Sequence, residues 1–456
     1  MQADILITGA CVITMDAQRR VIPGGAVAIA GDTIVAVGPA AEVAAQVEAR
    51  EVVDGSRFVL TPGFVNCHVH VTETLIRGFI PEALPFDEEL GEWVIPLYKG
   101  HTAAEQAVSA KLAIAAMLRS GTTTFLEAGT IIAFDEVMAA IEDTGIRART
   151  GRWTEDRAWD PSADAEALTR DALAALTRDI ARYPQDGRRI AAWPNLIGHM
   201  TATDELWQGV TALAKATGTG ISAHMSPVAG DAEWYLAHTG KRPVEHLADL
   251  GVLGPHLNLV HMVHIDAREA QLVAESGTSV THCPGASIRC GYGVGRHGLF
   301  PEMAQAGVNI ALGTDGADNH DMMRVITLMA ALFKDARQDR SLFPAHEVLE
   351  MATLNGAKVL GLSDTIGSIE VGKKADIAAH DTRRPEWQPI NNAVDQLVWS
   401  ADGRGVHSVW VDGLRVVADY RCTMIDEEAL YDEGQAMADA VLARSGLPRT
   451  SEWPVA

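Results

Sequence analysis

Apolar and polar positions alternate in short runs at both ends of the chain. Residues 5–7 and 33–37 are rich in β-branched residues and are bounded by turn-forming glycine and aspartate. The same pattern returns at 375–378 and 407–411, followed by the turn dipeptide Asp412-Gly413, which predicts a hairpin. Because strands from the two ends can pair with each other, we expect one small β-sandwich built from both termini.

The middle of the chain has a different pattern, in which short apolar runs follow long helical stretches. Helices are predicted over 105–119 and 165–182, and this alternation favours βαβ units with a parallel sheet. The predicted strands are 58–66, 122–126, 146–150, 190–194, 220–224, 257–261, 278–282 and 309–313. Eight such strands predict an α/β fold, with a (β/α)₈ TIM barrel over 60–366. The sandwich is expected at 1–59 and 367–456, and its second part ends in a helix.

Side chains capable of chemistry occupy the C-terminal ends of these predicted strands. They are His68, His70, Glu127, His199, His224, His261, His282 and Asp315. In a barrel these strand ends converge on the face where active sites are built. We therefore expect these residues to surround one site.

His68 and His70 lie two residues apart, so on a strand both imidazoles point to the same face. Alone, such a pair is weak evidence for a metal site, because histidine pairs are common on exposed strands. With His224 and Asp315 at later strand ends, the set offers three nitrogens and one oxygen around an open position. That donor set suits a catalytic divalent ion, zinc foremost, although iron, manganese or cobalt would also fit.

The composition narrows the class of partner. The chain has 456 residues, with 37 Lys and Arg against 60 Asp and Glu, and a formal net charge of −23. That charge repels nucleic acid and suits a neutral or cationic small molecule as substrate. The five cysteines form no CxxC pair, and no apolar run reaches the ~20 residues of a membrane helix. We expect a cytoplasmic protein that binds neither nucleic acid nor a membrane.

Longer motifs surround the candidate residues. They are 61–70 (TPGFVNCHVH), 222–224, 240–245, 259–261, 281–284, 312–317, 352–357 and 367–377. These motifs resemble the amidohydrolase superfamily, in the branch that contains cytosine and guanine deaminases, methylthioadenosine/S-adenosylhomocysteine deaminases and triazine hydrolases. The resemblance extends over essentially the whole chain. It implies a barrel enzyme in which a metal-activated water attacks the substrate.

The resemblance also implies roles for individual residues. His68, His70, His224 and Asp315 resemble the metal ligands of this superfamily. Asp315 further resembles the base that orients the water and takes its proton. His261 resembles the histidine outside the ligand set that polarises the attacked bond.

Substrate contacts are expected from four further side chains. His199 resembles a substrate-facing histidine after the fourth strand, with a structural loop histidine as an equal alternative. Glu73, Trp93 and His282 are the other candidates. For Trp93 a packing role, and for His282 a structural role, is the competing interpretation.

One position departs from the pattern of the family. Deaminases of this branch usually carry a glutamate three residues after the third metal histidine, where it passes a proton to the ring nitrogen. Here that position, counted from His224, is Pro227, which has no side-chain proton to give. Either the remaining catalytic residues suffice, or another carboxylate substitutes. The candidates by proximity in sequence are Asp231, Glu233 and Glu73.

The expected function is therefore a metal-dependent hydrolase that cleaves a C–N bond of a small aromatic or heterocyclic nitrogen compound, by deamination or by amine or amide hydrolysis. A hydrolytic dehalogenase of a chlorinated heterocycle, and a catalytically inactive metal-binding homologue, are the alternatives that Pro227 leaves open. Two-metal members usually use a carboxylated lysine at the fourth strand, and 188–203 contains none, so we expect one ion. Specificity is expected to lie in 79–98 and 152–164, and a homodimer is expected from the resemblance.

Overall fold

The computed structural model describes residues 1–157, 163–449, 451 and 453, so part of the expected specificity loop, 158–162, lies outside the described residues. The strands are β1 (Gln2–Ile13), β2 (Val21–Ala30), β3 (Thr33–Pro39), β4 (Glu48–Asp54), β5 (Phe58–Pro62), β6 (Phe64–Val69), β7 (Thr122–Glu127), β8 (Arg147–Thr150), β9 (Ile190–Ala192), β10 (Leu196–Gly198), β11 (Ile221–Met225), β12 (Leu257–His261), β13 (Ser279–His282), β14 (Ile310–Leu312), β15 (Ile377–Asp381), β16 (Val406–Val411), β17 (Leu414–Ala418) and β18 (Arg421–Cys422).

Helices separate most of the strands in the middle of the chain. They are α1 (Ala40–Ala44), α2 (Phe86–Glu88), α3 (Ile95–Gly100), α4 (Ala103–Arg119), α5 (Phe134–Thr144), α6 (Ala165–Arg182), α7 (Asp204–Thr217), α8 (Ala229–Thr239), α9 (Pro243–Asp249), α10 (Ala267–Ser276), α11 (Pro284–Arg289), α12 (Val294–His297), α13 (Phe300–Gln305), α14 (Met322–Ala336), α15 (Ala345–Met351), α16 (Leu354–Val359), α17 (Ala393–Trp399) and α18 (Glu427–Ser445). Shorter 3₁₀ turns lie at Val71–Ile76, Pro385–Trp387 and Gly403–Gly405, and a π-helical segment lies at Glu89–Val94. None of the described helices is long and apolar enough to cross a membrane.

Strands from both ends of the chain form one nine-stranded sheet. Its order is β18-β17-β16-β15-β5-β1-β2-β3, and β4 pairs in parallel with β1. The strand β5 joins the two ends, because it pairs with β1 on one side and antiparallel with β15 on the other. Apolar side chains from both ends, including Ile7, Leu60, Ile377 and Trp410, share one buried cluster. The first and last parts of the chain therefore stabilise each other.

The middle of the chain forms two parallel sheets. Their orders are β6-β7-β8-β9 and β10-β11-β12-β13-β14. A parallel bridge between Val69 and Asp315 joins β6 to the segment after β14. There the Asp315 N–H donates to the carbonyl oxygen of His68 over 2.9 Å. The first and last strands of the middle region are thus hydrogen-bonded at the ends that carry the candidate residues.

The other junction between the two parallel sheets lies at residues 193–195. The predicted strand 190–194 ends at Ala192, because Pro194 has no backbone N–H to continue the ladder. The Asn195 side chain spans this break. Its amide donates to the carbonyl oxygen of Glu127 over 2.8 Å and accepts from the Ser222 N–H over 3.0 Å. A side-chain amide thus replaces the missing backbone pairing.

The predicted opening strand 58–66 is two strands, and the prediction of one continuous strand was wrong. The chain changes sheets at Gly63, between β5 in the nine-stranded sheet and β6 in the parallel sheet. A Cβ atom at Gly63 would lie 2.1 Å from the Thr123 side chain, so only glycine lets the chain pass β7 this closely. The boundary expected between residues 59 and 60 therefore falls inside β5.

A buried ion cluster links β8 to the nine-stranded sheet; we refer to Arg147, Asp376 and Asp412 as the Arg147 cluster. The Arg147 guanidinium donates from Nε and Nη2 to the two Asp376 oxygens over 3.0 Å each, and also binds Asp412. The Asp412 N–H donates to Asp376 over 2.9 Å. The Arg147 side chain is only 2% exposed. This bidentate arrangement holds the terminal sheet against the parallel strands.

Candidate active site

A cavity of about 340 Å³ opens at the C-terminal ends of the parallel strands. Its volume lies in the range of small-molecule sites. Much of its wall is apolar or aromatic, and Phe86, Trp153 and Tyr292 contribute rings to it. The lining also includes His70, His199, His224, His261 and Asp315.

Five of the predicted site residues meet there; we call His68, His70, His224, His261 and Asp315 the histidine cluster. The ring centroids of His68 lie 5.0 Å from His70, 4.6 Å from His224 and 5.6 Å from His261. The Nε2 atoms of His70 and His224 are 3.3 Å apart. All five residues are at least nine-tenths buried. Four strands therefore bring their ends to one point.

The Asp315 carboxylate faces two sides of this cluster. Its Oδ1 atom lies 3.5 Å from His68 Nε2 and 3.1 Å from His70 Nε2. Its Oδ2 atom lies 3.8 Å from His261 Nδ1. One oxygen thus faces the paired histidines of β6, and the other faces the histidine that ends β12.

The orientation of His224 is set by the backbone of β10. Its Nδ1 atom lies 2.7 Å from the carbonyl oxygen of Ile197, which can only accept, so Nδ1 carries the proton and Nε2 presents a lone pair to the cluster. Gly198 permits this approach, because a Cβ atom there would lie 2.1 Å from the carbonyl oxygen of His224. Such an outer hydrogen bond is the usual way in which a metal-binding histidine is oriented.

Several ring nitrogens of the cluster are buried without a partner. Both nitrogens of His68, and the Nδ1 atoms of His70 and His261, have no hydrogen bond among the described residues. Burying such a group without compensation costs about 1–3 kcal/mol each. Three imidazoles and a carboxylate that converge with open lone pairs fit a divalent cation, and candidate metal-binding groups include His68, His70 and Asp315 together.

The titration behaviour of the cluster points the same way. Burial lowers the pKa of His68, of His224 and of His261, to about 3 for His261. For His70, burial opposes protonation, but the carboxylates of Glu73 and Asp315 raise its pKa to about 9. Burial would raise the pKa of Asp315, but His261 and His68 hold it well below its usual range. The site therefore keeps a buried carboxylate ionised and attracts positive charge beside it.

Backbone strain is concentrated at the same strand ends. The φ angle is +78° at His261, +71° at Asp315, +50° at His199 and +52° at Ser226. Non-glycine residues adopt such angles only where the surrounding structure compels them, and these sites are frequently functional. The turns after β10, β11, β12 and β14 thus bend the chain to present these side chains to the cavity.

His199 is held by Asp231, a residue of α8. The His199 Nδ1 atom lies 2.9 Å from Asp231 Oδ2, and the same oxygen accepts the Ser226 N–H over 2.7 Å. Both His199 and Asp231 line the cavity, and the His199 ring stacks on His224 with centroids 5.4 Å apart. The sequence suggested three carboxylates as a substitute beside Pro227. Two of them, Asp231 and Glu73, line the cavity next to a histidine, and Glu233 is not among the described lining residues.

Pro227 and Glu73 also line the cavity. Glu73 Oε1 lies 3.6 Å from His70 Nδ1, and its other oxygen accepts the Ala317 N–H over 3.0 Å. Burial raises the pKa of Glu73 above its usual value. Glu73 is therefore placed to touch both a cluster histidine and a bound ligand.

Trp93 and His282 are not among the described residues that line the cavity. Trp93 packs its ring against Phe79, with centroids 5.7 Å apart, and is buried in the core. His282 is fully buried against Phe300, with centroids 4.0 Å apart. For both, the structure places the side chain in packing, the alternative considered for each from the sequence. The expectation that they touch the substrate does not agree with this placement.

Glu127, at the end of β7, forms hydrogen bonds with the loop that follows this strand. It accepts hydrogen bonds from the Gly129 N–H over 2.7 Å and from the Thr130 hydroxyl over 2.7 Å. Burial raises its pKa to about 7. Its contacts shape the loop after β7 and leave the metal-binding donors to the histidine cluster.

Sequence reasoning missed most of the aromatic wall. Tyr98 and Trp153 stack edge to face with centroids 5.8 Å apart, and Phe86 packs in the same way on Tyr292 at 5.7 Å. Three of these residues lie within the two loops expected to carry specificity. Tyr292 had no sequence signal, because it follows α11 without any motif.

Comparison with known proteins gives this arrangement a family. A model described as "Amidohydrolase family" matches residues 59–416, most of the chain. This chain belongs to the amidohydrolase family. A shorter match, over residues 25–46, is to the imidazolonepropionase-like composite domain of bacteria. Membership confirms the predicted family and gives the chain the α/β TIM-barrel fold of that family.

Curated relatives of this amidohydrolase share about a third of its residues. A 5-methylthioadenosine/S-adenosylhomocysteine deaminase from Syntrophobacter fumaroxidans is 33% identical over 445 residues, covering 96% of this chain and 99% of the relative. A 5'-deoxyadenosine deaminase from Methanosarcina mazei is 31% identical over 455 residues, covering 97% and 99%. The relatives therefore match from end to end.

Solved structures agree with this assignment. An adenosine deaminase from Xanthomonas campestris with bound zinc superimposes with a TM-score of 0.88 at 29% identity, covering 97% of this chain and 99% of that one. An atrazine chlorohydrolase from Arthrobacter aurescens, complexed with zinc, has a TM-score of 0.87 at 22% identity, which supports the fold alone. The amidohydrolase is a metal-dependent hydrolase of carbon–nitrogen bonds other than peptide bonds, as predicted, and its named homologues act on small molecules.

Proposed function

We propose that this amidohydrolase holds one zinc ion and deaminates a small planar nitrogen heterocycle. The observation that carries the proposal is the histidine cluster, in which four buried ring nitrogens have no partner among the described residues and four of the five members line the cavity. Relatives named as deaminases of adenosine derivatives support an amino-heterocycle as substrate. The aromatic wall formed by Phe86, Trp153 and Tyr292 offers flat surfaces for such a ring.

In this proposal the ion is held by His68, His70, His224 and Asp315. Three imidazole nitrogens and one carboxylate oxygen form a donor set that zinc favours, and the zinc bound in the adenosine deaminase from Xanthomonas campestris supports that choice. A zinc ion held by these residues would lower the pKa of a water molecule to about 7 and so would make a nucleophile available at neutral pH. Segment 188–203 contains no lysine that could bridge a second ion in the usual manner.

Asp315 and His261 perform the proton chemistry of the proposed reaction. Asp315 Oδ2, on the His261 side of the carboxylate, accepts the proton of the attacking water. The substrate carbon gains the water oxygen, and His261 stabilises the negative charge that develops during the attack. Asp315 then returns the proton to the leaving nitrogen, the C–N bond breaks, and ammonia departs.

His199 and Glu73 are proposed to position the substrate. Asp231 accepts a hydrogen bond from His199 Nδ1, so the other ring nitrogen is directed to the cavity. Because Pro227 has no proton to supply, we infer that Asp315 delivers the proton to the leaving group. His199 holds the substrate in the orientation that this transfer needs. Proton transfer by positioned groups is worth about 10²–10⁴-fold, so this route replaces a substantial contribution.

The architecture around the site is part of the same proposal. We infer that the two parallel sheets close into one barrel of eight strands, supported by the Val69–Asp315 bridge and the side chain of Asn195. We infer that the terminal strands form a β-sandwich domain, supported by the apolar cluster that they share. With the expected boundaries, the units are residues 1–59, 60–366 and 367–456. A cytoplasmic location and a homodimer remain predictions.

The function is tested by metal analysis together with a substrate panel. The purified chain is assayed for zinc, iron, manganese and cobalt, and turnover is measured on aminopurine nucleosides, other amino-heterocycles, amides, phenylureas and chlorinated triazines. We expect about one zinc per chain and ammonia release from an amino-heterocycle. The control is His297→Ala, which should keep the zinc content and turnover of the unaltered chain. His297 is neither in the cluster nor at the cavity wall among the described residues.

Other outcomes of this test would replace the proposal. Release of chloride without ammonia would make the protein a hydrolytic dehalogenase. One zinc per chain without turnover on any compound would favour an inactive homologue disabled at Pro227. Failure to hold any divalent ion after reconstitution would remove the basis of the mechanism.

A further inference from the structure

A thiol lies beside two members of the histidine cluster, His261 and Asp315. Cys283 follows β13 directly and precedes α11, and its side chain is fully buried. The ligating atoms of Cys283, His261 and Asp315 all lie within 4.8 Å of one another. Thiolate, imidazole and carboxylate together are ligands that zinc and cadmium favour.

The Asp315 carboxylate can serve two ions at once. Oδ1 faces His68 and His70, whereas Oδ2 faces His261 at 3.8 Å. Carboxylates that divide their oxygens in this way can bridge two ions, and ions in such sites lie about 3.5–4 Å apart. The Oδ2 atom has its own imidazole neighbour, and the Cys283 sulfur lies within 4.8 Å of a ligating atom of both His261 and Asp315.

His261 supplies independent evidence for a ligand on this side. It is 3% exposed, and its Nδ1 atom has no hydrogen-bond partner among the described residues. This is the nitrogen that faces Asp315 Oδ2. The distance of 3.8 Å to the carboxylate is too long for a hydrogen bond, so this buried nitrogen is unsatisfied. A metal ion between the nitrogen, the carboxylate and the nearby thiol would satisfy it.

We propose that Cys283, His261 and Asp315 form a second site for a thiophilic divalent cation, and that occupation of this site blocks the enzyme. The site shares Asp315 with the zinc site of the proposed function and in that respect rests on it. It has three protein donors where the first has four, so we expect it to bind more weakly and to fill when zinc or cadmium is in excess.

Inhibition follows from the residues that the second ion occupies. The thiol proton of Cys283 passes to solvent as the sulfur–metal bond forms, because a coordinating thiol is deprotonated. The ion then takes the lone pairs of His261 and of Asp315 Oδ2. Asp315 can no longer accept the proton of the attacking water, and His261 can no longer stabilise the attacked group.

The experiment starts from holoenzyme that contains one zinc ion per chain. Cadmium chloride is added stepwise, and bound cadmium, retained zinc, the ultraviolet cadmium–thiolate absorption and turnover are measured at each step. We expect a second ion to bind while the zinc is retained, the thiolate band to rise, and turnover to fall in parallel. The zinc site contains no sulfur among its proposed ligands, so displacement of zinc would produce no such band.

Two cysteine variants assign the band to one residue. In Cys283→Ser we expect the zinc to be retained, the band to be absent, and the cadmium concentration that halves turnover to rise by about ten-fold or more. The matched control is Cys290→Ser, because Cys290 also offers a thiol and lines the cavity. We expect that variant to keep the band.

The proposal is overturned if wild-type holoenzyme binds no second ion, or if the band persists in Cys283→Ser. Loss of the band in Cys290→Ser would place the thiolate elsewhere and would equally overturn it. These readouts need no substrate, so a failure of the proposed deamination would leave the metal counts and the band decisive. If Cys283→Ser fails to retain zinc, Cys283→Ala and the wild-type titration decide in its place.

Discussion

Two clusters of ionisable side chains, the Arg147 cluster and the histidine cluster, differ in how many of their polar atoms have hydrogen-bond partners. In the Arg147 cluster, the guanidinium and the Asp376 carboxylate form two parallel hydrogen bonds of 3.0 Å, and the Asp412 N–H adds another. In the histidine cluster, four ring nitrogens are left without a partner among the described residues. Arg147 and Asp376 are as deeply buried as the histidine cluster, and only Asp412 is partly exposed, so burial alone does not separate structure from function.

The difference shows what each cluster is built to hold. A buried charge is stable when its partners are supplied by the protein, as they are for Arg147. Where buried ring nitrogens converge without hydrogen-bond partners, as in the histidine cluster, a bound ligand supplies the stabilisation. The histidine cluster should therefore respond to metal, and the Arg147 cluster should respond only to changes in its own residues.

The largest effect is expected from Asp315→Asn. The amide keeps the size of the side chain but can neither take the proton of the water nor provide a charged ligand, so turnover should fall by about 10⁴-fold. Ammonia release at saturating zinc measures this loss. The control Asp171→Asn alters a carboxylate whose side chain is 78% exposed, and it should retain full turnover. A loss of less than ten-fold in Asp315→Asn would show that another group acts as the base.

Arg147→Met tests the satisfied cluster. Removal of the guanidinium leaves two carboxylates uncompensated, and breaking a buried pair in this way costs about 3–5 kcal/mol. Urea denaturation of the zinc-loaded protein measures the fall, and zinc content per folded chain should not change. Combining Arg147→Met with Asp376→Asn and Asp412→Asn should restore much of the stability. Loss of zinc in the single variant would mean that the two clusters are coupled.

Removal of the metal tests the open cluster by itself. Since zinc binds the folded chain, free zinc at 1,000 times its dissociation constant stabilises the protein by about 4 kcal/mol, and chelation removes that amount. The unfolding free energy with and without chelator measures it. Wild type and Arg147→Met should lose the same amount, because the clusters share no residue. Unequal losses would contradict the separation drawn between them.

The smallest effect concerns another buried carboxylate, Asp381, which accepts hydrogen bonds from Arg57 and Tyr420 and so is satisfied within the protein, as Asp376 is. Burial would raise its pKa, but the Arg57 guanidinium and the Tyr420 hydroxyl hold it at about 2. A depressed pKa in the folded state stabilises the protein above the unfolded value near 3.9, and this stability, about 2 kcal/mol, is lost as the pH falls towards 2.

Asp381→Asn measures that contribution. Unfolding free energies of variant and wild type should differ by about 2 kcal/mol at pH 6 and converge as the pH approaches 2. The substitution Asp171→Asn provides the control, since the Asp171 side chain is 78% exposed. A difference that stayed constant with pH would show that the loss comes from packing and not from the charge.

Much of the site could be predicted because its residues follow the strands. His68, His224, His261 and Asp315 each stand where an apolar run ends, and parallel strands bring such ends together. Local patterns also predicted α6 within its bounds and most of the parallel strands. These features depend on residues that are close together in the sequence, so local patterns are enough to predict them.

The remaining features depend on contacts between distant segments. The break at Gly63 arises from Thr123, which lies sixty residues further along the chain. The placement of Trp93 and His282 in packing depends on which face of each segment meets the core. The contact between His199 and Asp231 was not predicted, because Asp231 was considered only as one of several carboxylates near Pro227. No sequence pattern indicated that Arg147 would reach the terminal sheet.

The pairing of β5 with β15 also affects folding during synthesis on the ribosome. Residues 58–62 leave the ribosome early, but their antiparallel partner at 377–381 is made roughly 300 residues later. At about 5–20 residues per second, that delay lasts roughly 15–60 s. Throughout this interval β5 lacks one neighbour, and an unpaired strand edge invites association with other nascent chains. The N-terminal strands are therefore the first part to be synthesised and among the last to be completed, which makes them the natural place for a chaperone to act.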